Sequence, residues 1–212
     1  MDVVIAGGHG QIALRLERLL SARGEGVRGL IRNPDHAADV EARGAEPVIC
    51  DMEAEDDLAP FVEGADAIVF AAGAGPGSGP ERKRTVDLGA AIKLIDAARR
   101  LGIDRYVMVS AIGASDPESA SDAMRPYYDA KAAADTRLAQ SGLAFTIVRP
   151  GGLTNNPGTG HIRAGRDIGT GSITRDDVAA TLAAVLAAPN AIGVTFDVLE
   201  GDKPIEDAVA AL

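Results

Sequence analysis

The sequence predicts an α/β fold built on a parallel sheet, and three observations carry that prediction. Short apolar runs alternate with stretches of helical periodicity along the whole chain. The turns between them are short and bounded by Gly or Pro. Aromatic residues make up only 3% of the chain and Trp is absent, so the core must be Ala, Val, Ile and Leu. Such a core suits helices packed on a parallel sheet better than an aromatic-rich all-β core. The 212 residues are enough for one sizeable core, hence a single domain over 1–212.

The elements follow in order. "DVVIA" (2–6) reads as a buried strand. "GQIALRLERLLSARG" (10–24) carries Ile12, Leu16, Leu19 and Leu20 at helical spacing and stops at Gly24. "GVRGLIR" (26–32) is a second strand, and "PDHAADVEARG" (34–44) a helix opened by Pro34 and closed by Gly44. "AEPVICD" (45–51), "DAIVFAAG" (66–73), "RYVMVS" (105–110), "LAFTIVRPG" (143–151) and "GVTFDVLEG" (193–201) are further strands. Helices are expected over 55–64, 85–102, 127–142, 174–189 and the closing "IEDAVAAL". Thr174 and Asp177 form a capping box at the start of the 174–189 helix. The Gly/Pro-rich 72–84 reads as a loop. The Gly-, Asn- and Thr-rich 152–172 is too long for an idle connection and is expected to be a lid, a substrate loop or a small hairpin.

Composition excludes several classes. The net charge is −10 and the densest basic run is Arg82-Lys83-Arg84, so nucleic acid is not an expected partner. That run reads either as a solvated helix start or as a contact for an anionic substrate or a cofactor's phosphates. A single cysteine, Cys50, rules out a disulfide framework within the chain and points to a reducing compartment. At the end of "EPVIC" it reads as a buried small hydrophobe rather than a catalytic thiol. No signal peptide or membrane-spanning run is visible, so the expected location is cytoplasmic with no membrane contact. His9, His36 and His161 lie in unrelated segments without metal spacing, so no metal is expected.

The chemistry begins at "AGGHGQIA" (6–13). Gly7, Gly8, His9, Gly10, Gln11 and Ile12 follow a strand and open a helix, with small Ala13 where a third glycine often stands. The first Gly permits the sharp turn, the middle one lets backbone N–H groups approach a pyrophosphate, and the small residue lets helix and strand pack closely. The phosphate would lie at the positive end of the helix. A carboxylate about 20 residues on would favour NAD through the ribose 2′-OH. Arg32 stands there instead, beside Asn33, and a guanidinium fork matches a phosphate, so NADP(H) is preferred over NAD(H). Asp51 and Met52 at the end of the third strand read as adenine contacts or, for Asp51, as a cap.

These stretches together resemble the short-chain dehydrogenase/reductase superfamily. The likeness is strongest to its atypical branch of small NAD(P)H-binding proteins, which includes biliverdin/flavin reductases and NmrA-like sensors. It is carried by "AGGHGQIA", "LIRNPDH", "DAIVFAAGAG", "DRYVMVSAIGA", "YYDAKAAAD", "FTIVRPGGLT" and "SITRDDVA" and spans nearly the whole chain. The resemblance implies a Rossmann-type doubly wound parallel sheet in a three-layer α/β/α arrangement, with a small C-terminal substrate lobe. It implies Ala71, Ala72 and Gly73 along the ribose and phosphate path, and Pro150, Gly151 and Gly152 by the nicotinamide. Tyr127 and Lys131 match the superfamily's Tyr-x-x-x-Lys pair, with Lys131 lowering the phenol's pKa and holding the nicotinamide ribose. Ser110 falls one or two positions before the usual catalytic serine, and Tyr128 adjoins Tyr127 as a rival donor.

Three functions are consistent with this. The first is an NADPH-dependent oxidoreductase passing hydride to a small planar acceptor such as a flavin, quinone or carbonyl. The second is a non-catalytic NADP(H) sensor. The third is a sugar-nucleotide epimerase or dehydratase, disfavoured because only about 60 residues follow the sixth strand, less than a usual substrate domain. A monomer or a dimer fits the sequence equally.

Overall fold

The computed structural model describes residues 1–75 and 77–212; Pro76, in the expected loop 72–84, lies outside the described residues. The first strands are β1 (Asp2–Ala6), β2 (Gly26–Ile31), β3 (Glu46–Ile49), β4 (Ala67–Phe70), β5 (Arg105–Val109) and β6 (Ala144–Pro150). They form a parallel sheet in the order β3-β2-β1-β4-β5-β6. Alternate side chains enter opposite faces. Val3, Ile5, Ala67 and Val69 join one apolar cluster, while Val4, Ala6, Ile68 and Phe70 join the other. Burial on both faces is why these strands read as continuous apolar runs.

Helices cover both faces. On one side lie α1 (Gln11–Ala22), α7 (Arg175–Leu186) and α8 (Ile205–Ala210). On the other lie α3 (Ala59–Val62), α5 (Ala91–Leu101) and α6 (Arg125–Ala139), while the short α2 (Ala37–Glu41) packs beside β3. The fold is thus a single-domain, three-layer, Rossmann-like α/β/α sandwich.

Four boundaries differ from expectation. α3 begins only at Ala59, because the Asp57 carboxylate accepts from the Ala59 N–H and stops the chain there. The helix expected from 85 begins at α4 (Pro80–Arg82) and widens into a π-helical run, Lys83–Ala90, before α5. The expected C-terminal lobe is instead an extension of the sheet. There β10 (Val194–Glu200) pairs parallel with β6, and β8 (His161–Gly165) and β11 (Lys203–Pro204) follow antiparallel. Residues 152–172 carry more strand than expected. They supply β7 (Gly152–Thr154), which pairs in parallel with β9 (Ser172–Thr174), and β8 within the main sheet. The stretch before β8 is tied down by buried Asp177, which accepts from the Thr159 and Gly160 N–H groups at 2.9 and 2.8 Å. Half of the capping box forms: Thr174 Oγ1 accepts from the Asp177 N–H at 3.0 Å, while the Asp177 carboxylate serves the loop.

Glu17 of α1 is wholly buried where Gly29 of β2 leaves room; a Cβ on Gly29 would meet Glu17 Oε1 at 2.6 Å. Among the described residues neither carboxyl oxygen has a hydrogen-bond partner. Burial, opposed by Arg43, pushes the group from 4.5 up to about 8. Between those values the folded chain holds a proton that the unfolded chain releases, so this contribution to stability is full below about pH 4.5 and is lost as pH rises through about 8. Glu17→Gln is therefore expected to lose less stability than wild type from pH 5 to pH 8, by up to about 1.4 kcal/mol per pH unit. Urea unfolding of both proteins at several pH values checks this; parallel pH profiles would contradict it.

Candidate functional site

The C-terminal ends of β1, β2, β3 and β4 open onto a cleft of about 260 Å³. It lies where strand order reverses, with β2 on one side of β1 and β4 on the other, the place where doubly wound sheets bind ligands. Gly7, His9 and Gly10 line it from the first turn, with Arg32 and His36 from the second. Cys50, Asp51, Met52 and Glu53 come from the third, Ala71, Ala72 and Gly73 from the fourth, and Arg82 and Val86 from the helix beyond.

The glycines have distinct physical tasks. Gly7 has φ +81°, and a Cβ there would meet the Ala72 Cα at 2.7 Å, so the turn and the β4 end touch backbone to backbone. The Gly8 N–H donates to Leu30 O at 2.8 Å. The missing side chain of Gly8 admits Gly29, whose Cα would lie 2.7 Å from a Cβ. Gly10 caps α1 without any side-chain hydrogen bond, which leaves the first-turn N–H groups of Gln11 and Ile12 for a ligand. The open helix end, the glycine turn and the cleft fit a dinucleotide's phosphates. His9 is held from the side: Nε2 lies 2.8 Å from Asp39 Oδ2, and its ring stacks on His36 at 3.6 Å.

On the β3 side of the cleft one carboxylate gathers three donors' side chains. Glu53 Oε2 accepts from Arg32 Nη1 at 3.3 Å and from Arg82 Nε and Nη2 at 3.2 and 3.0 Å. Its Oε1 accepts from the Thr85 hydroxyl at 2.7 Å. Burial opposes the Glu53 charge, but Thr85, Arg82 and Arg32 outweigh it and hold the carboxyl below the usual range. Asn33 and Asp51 are partly committed. Asn33 Oδ1 accepts from the Asp35 N–H and Asp51 Oδ1 from the Glu53 N–H, each closing a local turn. The Cys50 thiol is pushed up to about 11 by burial and by Glu55 and Asp51, so it stays a neutral thiol in the wall.

The residues around Lys131 sit differently from the sequence reading. Tyr127 and Lys131 do share one face of α6; the ammonium lies 5.9 Å from the Tyr127 ring centre. But Lys131 is buried, and its Nζ faces Asp87 Oδ1 at 3.3 Å, Val109 O at 3.1 Å and Ala72 O at 3.4 Å. The two carbonyls accept hydrogen bonds from the ammonium, while Asp87 Oδ1 faces it as a counter-charge without a hydrogen-bond partner among the described residues. Tyr127 is also not lowered. Burial, then the negative charge of Asp87 with smaller contributions from Tyr128 and Asp135, pushes its phenol well up, so it remains a protonated donor. Tyr128 lies against Gly113, where a Cβ would meet its ring at 2.4 Å, with its ring centre 5.3 Å from that of Tyr127. Ser110 is buried and gives its hydroxyl to Asp135 Oδ2 at 2.9 Å, an oxygen that Arg149 also holds. Pro150 ends β6, Gly151 follows it and Gly152 opens β7, all outside the cleft; Gly151 is closed in by Leu199 and Gly171.

Sequence reasoning missed Glu53, His36 and Val86. It named Arg82 only within a basic run whose alternative was a solvated surface. Among the described residues, no group of three or more His, Cys, Asp or Glu side chains could hold a metal ion, and no helix is long and apolar enough to cross a membrane.

A Rossmann-like sheet with a glycine-lined cleft at its switch point defines a nucleotide-binding α/β protein. The chain belongs to the NAD(P)H-binding family, whose model matches residues 7–189. It is 43% identical over 214 residues to YhfK of Bacillus subtilis, described as an uncharacterized sugar epimerase, with all of both chains covered. The oxidoreductase ylbE of Lactococcus lactis is 29% identical with a TM-score of 0.89, covering 100% of this chain and 96% of that one. ChuY, an anaerobilin reductase of Escherichia coli, is 26% identical with a TM-score of 0.79, covering 95% and 98%. The likeness to atypical short-chain dehydrogenases/reductases holds along the whole chain.

Proposed function

We propose that this chain binds NADPH across its strand ends and reduces a small planar acceptor such as a flavin, a quinone or a related carbonyl. The observation that carries the reading is the cleft itself: an uncapped helix start beside Gly7, with Arg32 at the adenosine end where an NAD-selective site would carry an acid. Hydride is what the cofactor supplies when bound. The chain's part is to hold the pyrophosphate at the start of α1 and the 2′-phosphate at Arg32. Asp51 and Met52 border the adenine. At the other end, Ser110 is committed to Asp135 and Lys131 to two backbone carbonyls, and neither hydrogen-bonds Tyr127 among the described residues, which leaves Tyr127 as a neutral hydrogen-bond donor without a proton relay behind it. Acceptors that need hydride positioning more than a strong acid suit that arrangement. The reductase names of two structural relatives support the class.

NADPH consumption with flavins, quinones and carbonyls tests the reading; no turnover with any of them would contradict it. Tyr127→Phe is expected to slow turnover less than about tenfold, short of the 10²–10⁴ that a general acid contributes. A larger loss would restore Tyr127 as the acid. The contacts that hold Lys131 and Ser110 within the protein also favour a second reading, an NADP(H) sensor without turnover, which rapid multiple turnover would exclude as the sole function. The name of the Bacillus subtilis relative motivates a third, epimerase-like reading, which tightly retained NAD in the purified protein would support.

A further inference from the structure

Two arginines from separate segments, one after β2 and one in α4, converge on a single carboxylate oxygen in the cleft wall. Their closeness is explained by Glu53, since two guanidinium groups would otherwise repel each other. Glu53 is itself held from behind by the Thr85 hydroxyl, which takes its second oxygen. All three charged side chains keep contact with solvent, at 56% for Arg32, 40% for Arg82 and 26% for Glu53, so an arriving anion can reach the arginines. Asp51 and Met52 stand directly before Glu53 in the chain and line the same cleft, which puts the cluster at the adenosine end.

We propose that Glu53 is an internal stand-in for the cofactor's 2′-phosphate, that Arg82 is a second ligand for that phosphate, and that exchange of one anion for the other sets the preference for NADPH over NADH. The inference rests on the NADPH reading above. A carboxylate brings one negative charge and two oxygens. A phosphate monoester brings nearly two charges and three acceptor oxygens, so it satisfies both guanidinium forks better than Glu53 does. A ribose hydroxyl brings no charge and leaves the Arg32–Glu53–Arg82 cluster closed. Glu53 therefore acts as a competitor that only a 2′-phosphate displaces, and it keeps both arginines placed until then.

The test is a titration of wild type, Arg82→Ala, Glu53→Gln and Thr85→Ala with NADPH, NADH and 2′,5′-ADP, followed by nucleotide fluorescence or calorimetry. Arg82→Ala is expected to weaken NADPH and 2′,5′-ADP about tenfold and NADH less than twofold. Glu53→Gln removes the competing charge and is expected to raise the NADPH-to-NADH affinity ratio at least threefold. Thr85→Ala, which keeps the charge but loosens its tether, shifts the ratio the same way by less. An unchanged or lowered ratio in Glu53→Gln, in a protein whose wild type prefers NADPH, overturns the stand-in and leaves the NADPH reading intact. A wild type that binds NADPH and NADH alike overturns both.

Discussion

Gly7→Ala is expected to abolish measurable nucleotide binding, with a loss of at least a hundredfold, and to destabilise the fold. Two costs add. At φ +81° any residue with a Cβ pays roughly 1–2 kcal/mol for the left-handed conformation. The Cβ would also press on the Ala72 backbone at 2.7 Å, so β4's end must move, and that segment forms the opposite wall of the cleft. Gly24→Ala is the matched control. Its φ is +78°, but nothing lies within 4 Å of the added Cβ. It should pay only the conformational cost and leave nucleotide binding unchanged. Comparable binding by Gly7→Ala and wild type would mean that this turn is not part of the site.

Asp87→Ala is expected to be the most destabilising single substitution near the site. Asp87 is fully buried in the π-helical run, where it faces Lys131 Nζ and accepts from the Ala74 N–H at 3.2 Å. Removing it leaves a buried ammonium without its counter-charge, a loss of about 3–5 kcal/mol. For a chain of this size that is roughly 6–20 °C in Tm. The pairing with Lys131→Met is diagnostic, because an apolar replacement of both partners avoids the unpaired charge. The double variant should lose less than the sum of the two single losses, with a coupling of about 1–3 kcal/mol in the cycle. Additive losses in thermal unfolding would show that the two groups act separately.

The sheet was legible because its strands are buried on both faces. "DVVIA" and "AIVF" need no alternation to be read as strands, and Gly24, Gly44, Gly102 and Gly142 mark where helices stop. β8 was not legible: "HIRAG" has only one wholly buried side chain, Ile162, and it becomes a strand because β10 and β11 pair with it from either side. The positions of the glycine turn and of Arg32 at the strand ends were legible because they depend on short stretches of chain. Glu53 was not, since its place is set by two arginines 21 residues before it and 29 after it. Lys131 shows the complementary limit. Its spacing from Tyr127 was readable, but Asp87, which takes its charge, stands 44 positions away in a helix whose π-widening has no sequence signature.

The most direct measurement is a side-by-side titration of the purified protein with NADPH and NADH, repeated with Arg32→Ala. Tight NADPH binding, weaker NADH binding, and a loss of about tenfold or more confined to NADPH in the variant are the expected results. Absence of binding by either nucleotide would contradict the central claim and reduce "AGGHGQIA" to a turn between a strand and a helix.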